Sequence, residues 1–269
     1  MFLDKFLSFT PPYYGIATIL GILACLITLR FTMKQRKNIE FSYCILTALV
    51  GMVGAFFMAH IVYAVAQHEK LFYIISNPNA LFKSIPAFIY YFSNVFGGMV
   101  FYGGLIGFCL GGYLYLKYEK LNIDNYTDVF APLIPLFHAF GRIGCYLTGC
   151  CYGVEIQSPL PFSECFTDNG IIHRLPIQLI EAFENLLLFI VLMLILYKFK
   201  NFKKGSLIFI YGITYSVLRF INEFFRGDYI ERGSFGIMST SQWISIFIFT
   251  FSLVIIIIKY IKQINKGRD

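Results

Sequence analysis

The chain has 269 residues, of which 58% are hydrophobic and only 14% charged, with a formal net charge of +7. Soluble domains contain about 45–50% apolar and about 25% charged residues, so this composition argues against a water-soluble globule. The apolar residues form continuous blocks and lack the strict alternation of an outer-membrane barrel. The sequence therefore predicts an all-α, polytopic membrane protein.

Seven apolar blocks reach the length of about 20 residues that a helix needs to cross a bilayer. We therefore predict about seven transmembrane helices. In chain order the blocks are Tyr14–Met33, Tyr43–Val65, Val95–Leu116, Val129–Gly149, Pro176–Tyr197, Ser206–Phe224 and Met238–Ile258.

One further apolar stretch, Leu71–Tyr91, is interrupted by Asn77, Pro78, Lys83 and Pro86. We predict that it forms an interfacial or re-entrant element and not an eighth span. It lies in an outer segment around residues 66–94 of a single integral membrane domain, residues 1–269. The chain shows no internal repeat.

The basic residues predict the orientation of the helices. Fourteen of the 22 Lys and Arg residues lie at or beyond the carboxyl ends of the first, third, fifth and seventh blocks. Because positive charge accumulates in cytoplasmic loops, we expect the amino terminus outside and the carboxyl terminus in the cytoplasm. The basic excess is thus a topology signal, and we expect no nucleic-acid partner.

Two arginines, Arg142 and Arg219, lie within apolar blocks. A charge at membrane depth costs at least about 2.5–3.5 kcal/mol, so each needs a partner or a function. The planar guanidinium group fits phosphate oxygens in a bidentate manner, which predicts a phospholipid headgroup of the outer leaflet as ligand. Because Glu223 lies one turn after Arg219, the alternative for Arg219 is a structural ion pair with Glu223. Glu181 lies in another span.

Glycine clusters at residues 97–107 and 141–153 indicate close approach of the backbone to a partner. We assign Gly107, Gly111 and Gly112 to helix packing. The second cluster surrounds Arg142, and His138 lies four residues before that arginine. A histidine there is either a hydrogen-bonded structural residue or a proton acceptor.

The second cluster also contains Cys145, Cys150 and Cys151. Four interpretations stay open: thiols that pack a tight turn, a disulfide, ligands of a soft metal, or a catalytic or acceptor thiol. His138 and Cys165 could complete a four-ligand set. The spacing differs from the paired pattern of ordinary zinc sites, so we expect no metal and no cofactor.

Six short motifs follow one another along nearly the whole chain. They are Tyr14-Gly15; Gly97-Gly98-Met99 with Gly103-Gly104-Leu105; Gly141-Arg142-Ile143-Gly144 with Gly153; Arg174-x-Pro176-x-Gln178-Leu179-x-Glu181; Tyr211-Gly212 with Arg219-Phe220-Ile221-Asn222-Glu223-Phe224-Phe225-Arg226-Gly227-Asp228; and Gly236-Ile237-Met238-Ser239 with Ser241-Gln242-x-x-Ser245. In this order they resemble the bacterial prolipoprotein diacylglyceryl transferases, of which the chain would be a divergent, cysteine-rich member.

The resemblance implies a seven-helix enzyme of the bacterial cytoplasmic membrane. Such an enzyme transfers the diacylglyceryl group of phosphatidylglycerol to the thiol of a lipobox cysteine in a prolipoprotein signal peptide, the first step of lipoprotein maturation. Its expected partners are therefore phosphatidylglycerol, the signal peptide and membrane lipids. The alternative is a membrane redox or metal-binding protein that uses the three cysteines on the same scaffold.

The resemblance also implies the site residues. Those expected to be catalytic are Arg142, Arg219, Tyr102, His138 and Glu223, and those expected to bind lipid are Tyr14, Gly98, Gly103, Gly104, Gly141, Gly144, Gln178, Glu181 and Arg226. Tyr102 occupies a position where the family usually has histidine, and Cys145 and Cys150 replace the usual asparagine and glutamate. The proton acceptor is accordingly open between His138, Glu181 and Glu223.

Overall fold

The apolar blocks form helices in a computed structural model, which describes residues 12–35, 39–66, 68–98, 101–167, 170–198, 203–228, 234–235 and 237–266. The helices are α1 (Tyr13–Gln35), α2 (Phe41–Ala66), α3 (His68–Ser76), α4 (Pro78–Leu81), α5 (Ile85–Phe96), α6 (Phe101–Tyr118), α7 (Ile123–Phe130), α8 (Leu133–Leu147), α9 (Ile177–Lys198), α10 (Leu207–Asn222) and α11 (Thr240–Lys266). A 3₁₀ turn, Glu223–Phe225, follows α10.

Two short antiparallel hairpins complete the described secondary structure. Strands β1 (Glu164–Thr167) and β2 (Gly170–His173) pair with Glu164 opposite His173. Strands β3 (Ser234–Phe235) and β4 (Met238–Ser239) pair with Ser234 opposite Ser239. Both hairpins lie between long helices in the sequence, and β4 takes up the first two residues of the block predicted over Met238–Ile258.

Six of the described helical segments are long and apolar enough to cross a membrane. They are Tyr13–Met33, Phe41–Val65, Ile123–Leu147, Ile177–Lys198, Leu207–Phe225 and Thr240–Asn265. Their outward faces carry large exposed apolar side chains such as Ile19, Phe57 and Phe247. Surfaces of this kind are stable in lipid and not in water, so the chain is a multi-pass membrane protein.

The third predicted span, Val95–Leu116, differs from the prediction. The helix breaks at Gly97 and Gly98, and α6 begins only at Phe101 with 18 residues. At about 1.5 Å per residue it is about 27 Å long, slightly short of the bilayer core. Nδ1 of His60 lies 2.6 Å from the carbonyl oxygen of Phe96 and 3.0 Å from that of Gly98, which fixes the break.

The segment predicted to be interfacial forms three short helices, α3, α4 and α5, none long enough to span a bilayer. Pro78 and the Ser84 cap begin new helices, because proline lacks the donor N–H that would continue the preceding one and the Ser84 hydroxyl accepts from the N–H of Ala87. Its position at the membrane surface stays a prediction, as do the orientation of the termini and the single-domain boundary.

The chain divides into two compact units. One contains residues up to Gln35 together with Asp124 and all that follows, and the other contains Arg36–Ile123. In the first unit α1 packs closely on α8 at Gly21. A Cβ atom added to Gly21 would lie only 3.0 Å from Cβ of Phe140. Its apolar core, formed largely by α9 and α10, contains Ala131, Leu188, Leu192, Leu196, Leu207 and Tyr211.

In the second unit α2 and α6 pack closely through their glycines. A Cβ on Gly107 would collide with the carbonyl oxygen of Gly54, and one on Gly111 would lie 2.8 Å from that of Val50. A Cβ on Gly112 would lie 3.3 Å from Cγ2 of Thr47. The predicted packing role of the glycines in this part of α6 is therefore confirmed.

Candidate active site

The centre of the candidate site is the buried carboxylate of Glu181, on the first turns of α9. Nε of Arg142, from α8, lies 2.8 Å from Oε2. Nη1 of Arg219, from α10, lies 3.1 Å from Oε1, and Nη1 of Arg226, from the segment after the 3₁₀ turn, lies 3.7 Å from the same atom. Three cations from separate parts of the sequence thus converge on one carboxylate.

The guanidinium group of Arg219 contacts three partners on different elements. Its Nη1 donates a hydrogen bond to Glu181. Its Nη2 lies 2.8 Å from Oε2 of Glu223 and donates to Oγ of Ser241, at 3.1 Å, on α11. The predicted ion pair with Glu223 is confirmed. Arg219 therefore ties α9, α10 and α11 together.

Arg226 is 3% exposed. Its Nε and Nη2 donate to the two carboxylate oxygens of Asp228 at 2.9 and 2.6 Å, a bidentate pair. The backbone at Arg226 also pairs with Gly153. This pairing and the contact with Glu181 place Arg226 in the charged cluster.

Arg142 is held differently from the other two arginines. Its Nε–H points at Nε2 of His138, 3.2 Å away. Oε2 of Glu181 lies 2.8 Å from the same Nε, but it accepts no aligned hydrogen bond from any described residue. Neither Nη group of Arg142 donates a hydrogen bond within the described part of the chain, and its side chain is 13% exposed. These donors are available to an anionic ligand.

His138 uses the lone pair of Nε2 to accept from Arg142. A neutral imidazole with that nitrogen as acceptor carries its proton on Nδ1. The ring lies beside Tyr215 of α10, with centroids 5.3 Å apart. His138, Glu181, Glu184 and Arg219 line a small cavity with room for about one water molecule, so a lipid headgroup does not fit inside it.

Residues predicted to bind lipid surround Arg142 in the same unit. Nε2 of Gln178 donates to the carbonyl oxygen of Cys150 at 2.8 Å. Gly144 packs against Tyr14: a Cβ atom added to Gly144 would lie 3.0 Å from Cδ2 of Tyr14. A Cβ atom added to Gly141 would have no neighbour within 4 Å. The backbone is thus packed on one side and open on the other, and the lipid contacts of these residues stay predictions.

The remaining predicted site residues belong to the second unit. A Cβ on Gly98 would overlap the ring of Tyr63, and one on Gly103 would lie 2.6 Å from the carbonyl oxygen of Met58. An added Cβ on Gly104 would have its nearest neighbours at 3.9 Å. Packing within this unit accounts for Gly98 and Gly103. Tyr102 lies in α6, and its side chain is outside the part that the structure describes.

The three cysteines at the end of α8 lie together beside the arginine cluster. The Sγ atoms of Cys145, Cys150 and Cys151 are all within 4.8 Å of one another. Hydrogen bonds from the Cys145 thiol and from Arg226 hold the pKa of the Cys151 thiol well below its usual range, against the opposing effect of burial. Cys165, considered in the sequence as a further ligand, is not part of this group.

Comparison with known proteins decides the family. The family described as prolipoprotein diacylglyceryl transferase matches residues 5–258. The phosphatidylglycerol–prolipoprotein diacylglyceryl transferase of Clostridium tetani is 35% identical over 239 residues, which are 87% of each chain. That of Rickettsia bellii is 31% identical over 265 residues, 94% of this chain and 93% of the relative. The chain belongs to this family.

In this prolipoprotein diacylglyceryl transferase family member, several residues of the charged cluster stand in the sequence motifs but were not predicted to be site residues. Ser241 binds Arg219, Asp228 binds Arg226, and Asn222 donates to Glu184 at 2.5 Å. A signal for Ser241 was present in the sequence. Buried Ser241 and Ser245 recur at helical spacing in the otherwise apolar α11, which indicates a polar face turned inward.

Proposed function

We propose that this chain transfers the diacylglyceryl group of phosphatidylglycerol to the thiol of a prolipoprotein cysteine. The observation that carries the proposal is the convergence of Arg142, Arg219 and Arg226 on Glu181 in a buried site. Buried cations of this kind bind a phosphate strongly because little water screens them. The names of the relatives, from Clostridium tetani to Rickettsia bellii, supply the donor and the acceptor.

The reaction breaks the bond between the glycerol carbon of the diacylglyceryl group and its phosphate oxygen. A carbon–sulfur bond forms in its place, glycerol phosphate leaves with the electron pair of the broken bond, and the thiol loses its proton. The leaving group gains negative charge as the bond breaks. Fixed guanidinium groups that face this charge lower the barrier without having to reorganise.

We assign the main phosphate contact to Arg142. Both of its Nη groups lack a hydrogen-bond acceptor among the described residues, and part of its side chain is exposed. Arg219 and Arg226 are occupied by Glu223, Ser241 and Asp228. They hold Glu181 in place and add positive potential. The acceptor of the thiol proton stays a prediction among His138, Glu181 and Glu223.

We further propose that the acceptor is the lipobox cysteine of a signal peptide and that the protein lies in the bacterial cytoplasmic membrane. The six spans support a lipid donor that reaches the site from the bilayer. The comparisons name transferases and give no support to a redox or metal-binding protein in place of the enzyme.

The test uses the full chain in detergent micelles with phosphatidylglycerol labelled in its acyl chains and a peptide containing a lipobox cysteine. We expect label on the peptide thiol and release of glycerol phosphate. Arg142→Lys should lower kcat/KM by about 10²–10³-fold, because lysine keeps the charge but lacks the planar set of N–H donors that binds a phosphate in a bidentate manner. Lys259→Ala, which removes a cation paired with Asp124 elsewhere in the same unit, should keep wild-type activity.

Two results would contradict the proposal. One is a wild-type protein that folds and binds phosphatidylglycerol but labels no thiol peptide. The other is equal loss of activity in the Arg142→Lys and Lys259→Ala variants, which would reflect a general effect of substitution in this unit and not phosphate binding by Arg142.

A further inference from the structure

Three thiols meet at the carboxyl end of α8, outside the contacts that the transfer reaction uses. The Sγ atoms of Cys145, Cys150 and Cys151 are all within 4.8 Å of one another. In zinc–thiolate sites the metal–sulfur distance of about 2.3 Å places sulfur atoms about 3.8 Å apart. Small side-chain rotations would bring these three sulfurs to that spacing around one ion.

The geometry of the helix end brings Cys145 and Cys150 together. Gly149 has φ +71°, the N–H of Cys150 donates to the carbonyl of Cys145 at 3.1 Å, and that of Gly149 donates to Tyr146 at 3.1 Å. This is the Schellman arrangement, in which the side chains of the two residues at these positions come into contact. Here both are thiols.

Cys151 joins the pair at the cost of backbone strain. Its φ is +59°, a left-handed conformation that a residue other than glycine adopts only under constraint. Hydrogen bonds around it supply the constraint. The carbonyl of Cys150 accepts from Gln178, and the carbonyl of Tyr152 accepts from the N–H of Gly227 at 3.0 Å. The loop is therefore held from two sides, which preorganises a ligand set.

The surrounding charge suits a set of thiolates. The guanidinium groups of Arg226 and Arg142 are near the three cysteines and supply positive potential there. Three thiolates and a divalent cation together carry one negative charge, which these guanidinium groups offset. Cys150 is exposed and Cys145 is buried, so an ion can enter from the Cys150 side.

We propose that Cys145, Cys150 and Cys151 bind one thiophilic cation, Zn²⁺ or Cu⁺, through their three sulfur atoms. Thiolates select such soft ions over Mg²⁺ or Ca²⁺. For Zn²⁺, three protein ligands leave a fourth position for water, as in catalytic zinc sites and unlike closed structural ones. The proposed metal site is separate from the transfer reaction, and the proposal does not depend on that reaction.

The test titrates Cd²⁺, a spectroscopic substitute for Zn²⁺, into the full-length protein in detergent after reduction and removal of the reductant. We expect sulfur-to-cadmium charge-transfer absorption that saturates at one ion per chain and is displaced by Zn²⁺. Mg²⁺ should not displace it. Cys150→Ser should weaken binding by at least about 100-fold, more than the loss of an outer-shell partner costs. Cys165→Ser and Cys109→Ser, which remove cysteines outside the group, should bind as wild type.

A second variant separates loss of a ligand from loss of folding. Cys150→His keeps a metal-binding side chain and should recover part of the affinity that Cys150→Ser loses, with both variants giving wild-type circular dichroism. Three results would overturn the proposal. They are absence of saturable absorption, equal binding by Cys150→Ser and wild type, and a protein from membranes kept free of reductant in which two of these three thiols are linked in a disulfide.

Discussion

Arg142 and Glu181 form an ion pair of 2.8 Å in which the N–H of Arg142 points away from the carboxylate and toward His138. The attraction between the two charges is kept, but Oε2 of Glu181 accepts no aligned hydrogen bond from a described residue. A buried oxygen in this state is costly. Only Nε of Arg142 takes part in these contacts, so its two Nη groups remain available to an anionic ligand.

Glu181→Gln tests the central role of this carboxylate. Removing one partner from a buried ion pair costs about 3–5 kcal/mol when the other charge is left unpaired, and Arg142 pairs with no second carboxylate among the described residues. Three arginines lose their shared anion here, so we expect a clear fall in thermal stability and loss of transfer activity. Thermal unfolding in detergent measures the first, and the labelled-lipid assay measures the second.

Glu155→Gln is the matched control for Glu181→Gln. Glu155 pairs with Arg174 at 3.2 Å but its side chain is 67% exposed, and exposed pairs contribute about 0–1 kcal/mol. The melting temperature should then barely change. Equal losses in the two variants would show that Glu181 has no special place among the acidic residues.

Ser241→Ala tests whether Arg219 is a positioning residue. Loss of the Ser241 hydroxyl leaves Nη2 of Arg219 with Glu223 alone, and an unsatisfied buried donor costs about 1–3 kcal/mol. We expect lower thermal stability and a rise in KM for phosphatidylglycerol with a smaller change in kcat. Thr250→Val on the same helix, where the hydroxyl binds its own backbone, should change neither. A normal KM in Ser241→Ala would count against the role of Arg219.

His138→Gln distinguishes a positioning role from a proton-transfer role. If His138 orients Arg142 through an acceptor atom, glutamine can supply one, and activity should stay within about tenfold of wild type with an unchanged pH profile. His138→Ala should raise KM for the lipid. If His138 is instead the base, glutamine and alanine should be equally inactive, and the pH–rate profile should lose the limb that reports the imidazole.

The sequence predicted most of the fold because its signals are local. Continuous apolar blocks give the spans, and the one-turn spacing of Arg219 and Glu223 gives their ion pair. The exception was Val95–Leu116. Hydropathy predicts one continuous helix there, whereas in the structure a helix ends at Phe96, just before two glycines. Spanning length is a property of composition, whereas a helix break also depends on the contact with His60.

The site was predicted less completely, because its geometry depends on distant pairings. Arg142 and Glu181 were both identified, but nothing in their spacing indicates that three arginines share this carboxylate. Arg226 was predicted to bind lipid, but it forms an ion pair with Asp228, and its backbone pairing with Gly153 brings together residues that the sequence does not connect. Contacts between residues far apart in sequence have no periodic signature.

Gly107→Leu tests the close packing of α2 and α6. A Cβ at this position would collide with the carbonyl oxygen of Gly54 and lie 2.6 Å from Cβ of Met58, so the helices must separate. Overpacking of this kind costs typically about 1–3 kcal/mol. We expect a lower melting temperature and easier proteolysis between the two helices. Gly104→Ala, on the same helix with its nearest neighbours at 3.9 Å, should melt as wild type. A normal melting temperature in Gly107→Leu would show that the two helices do not need the close contact that these glycines allow.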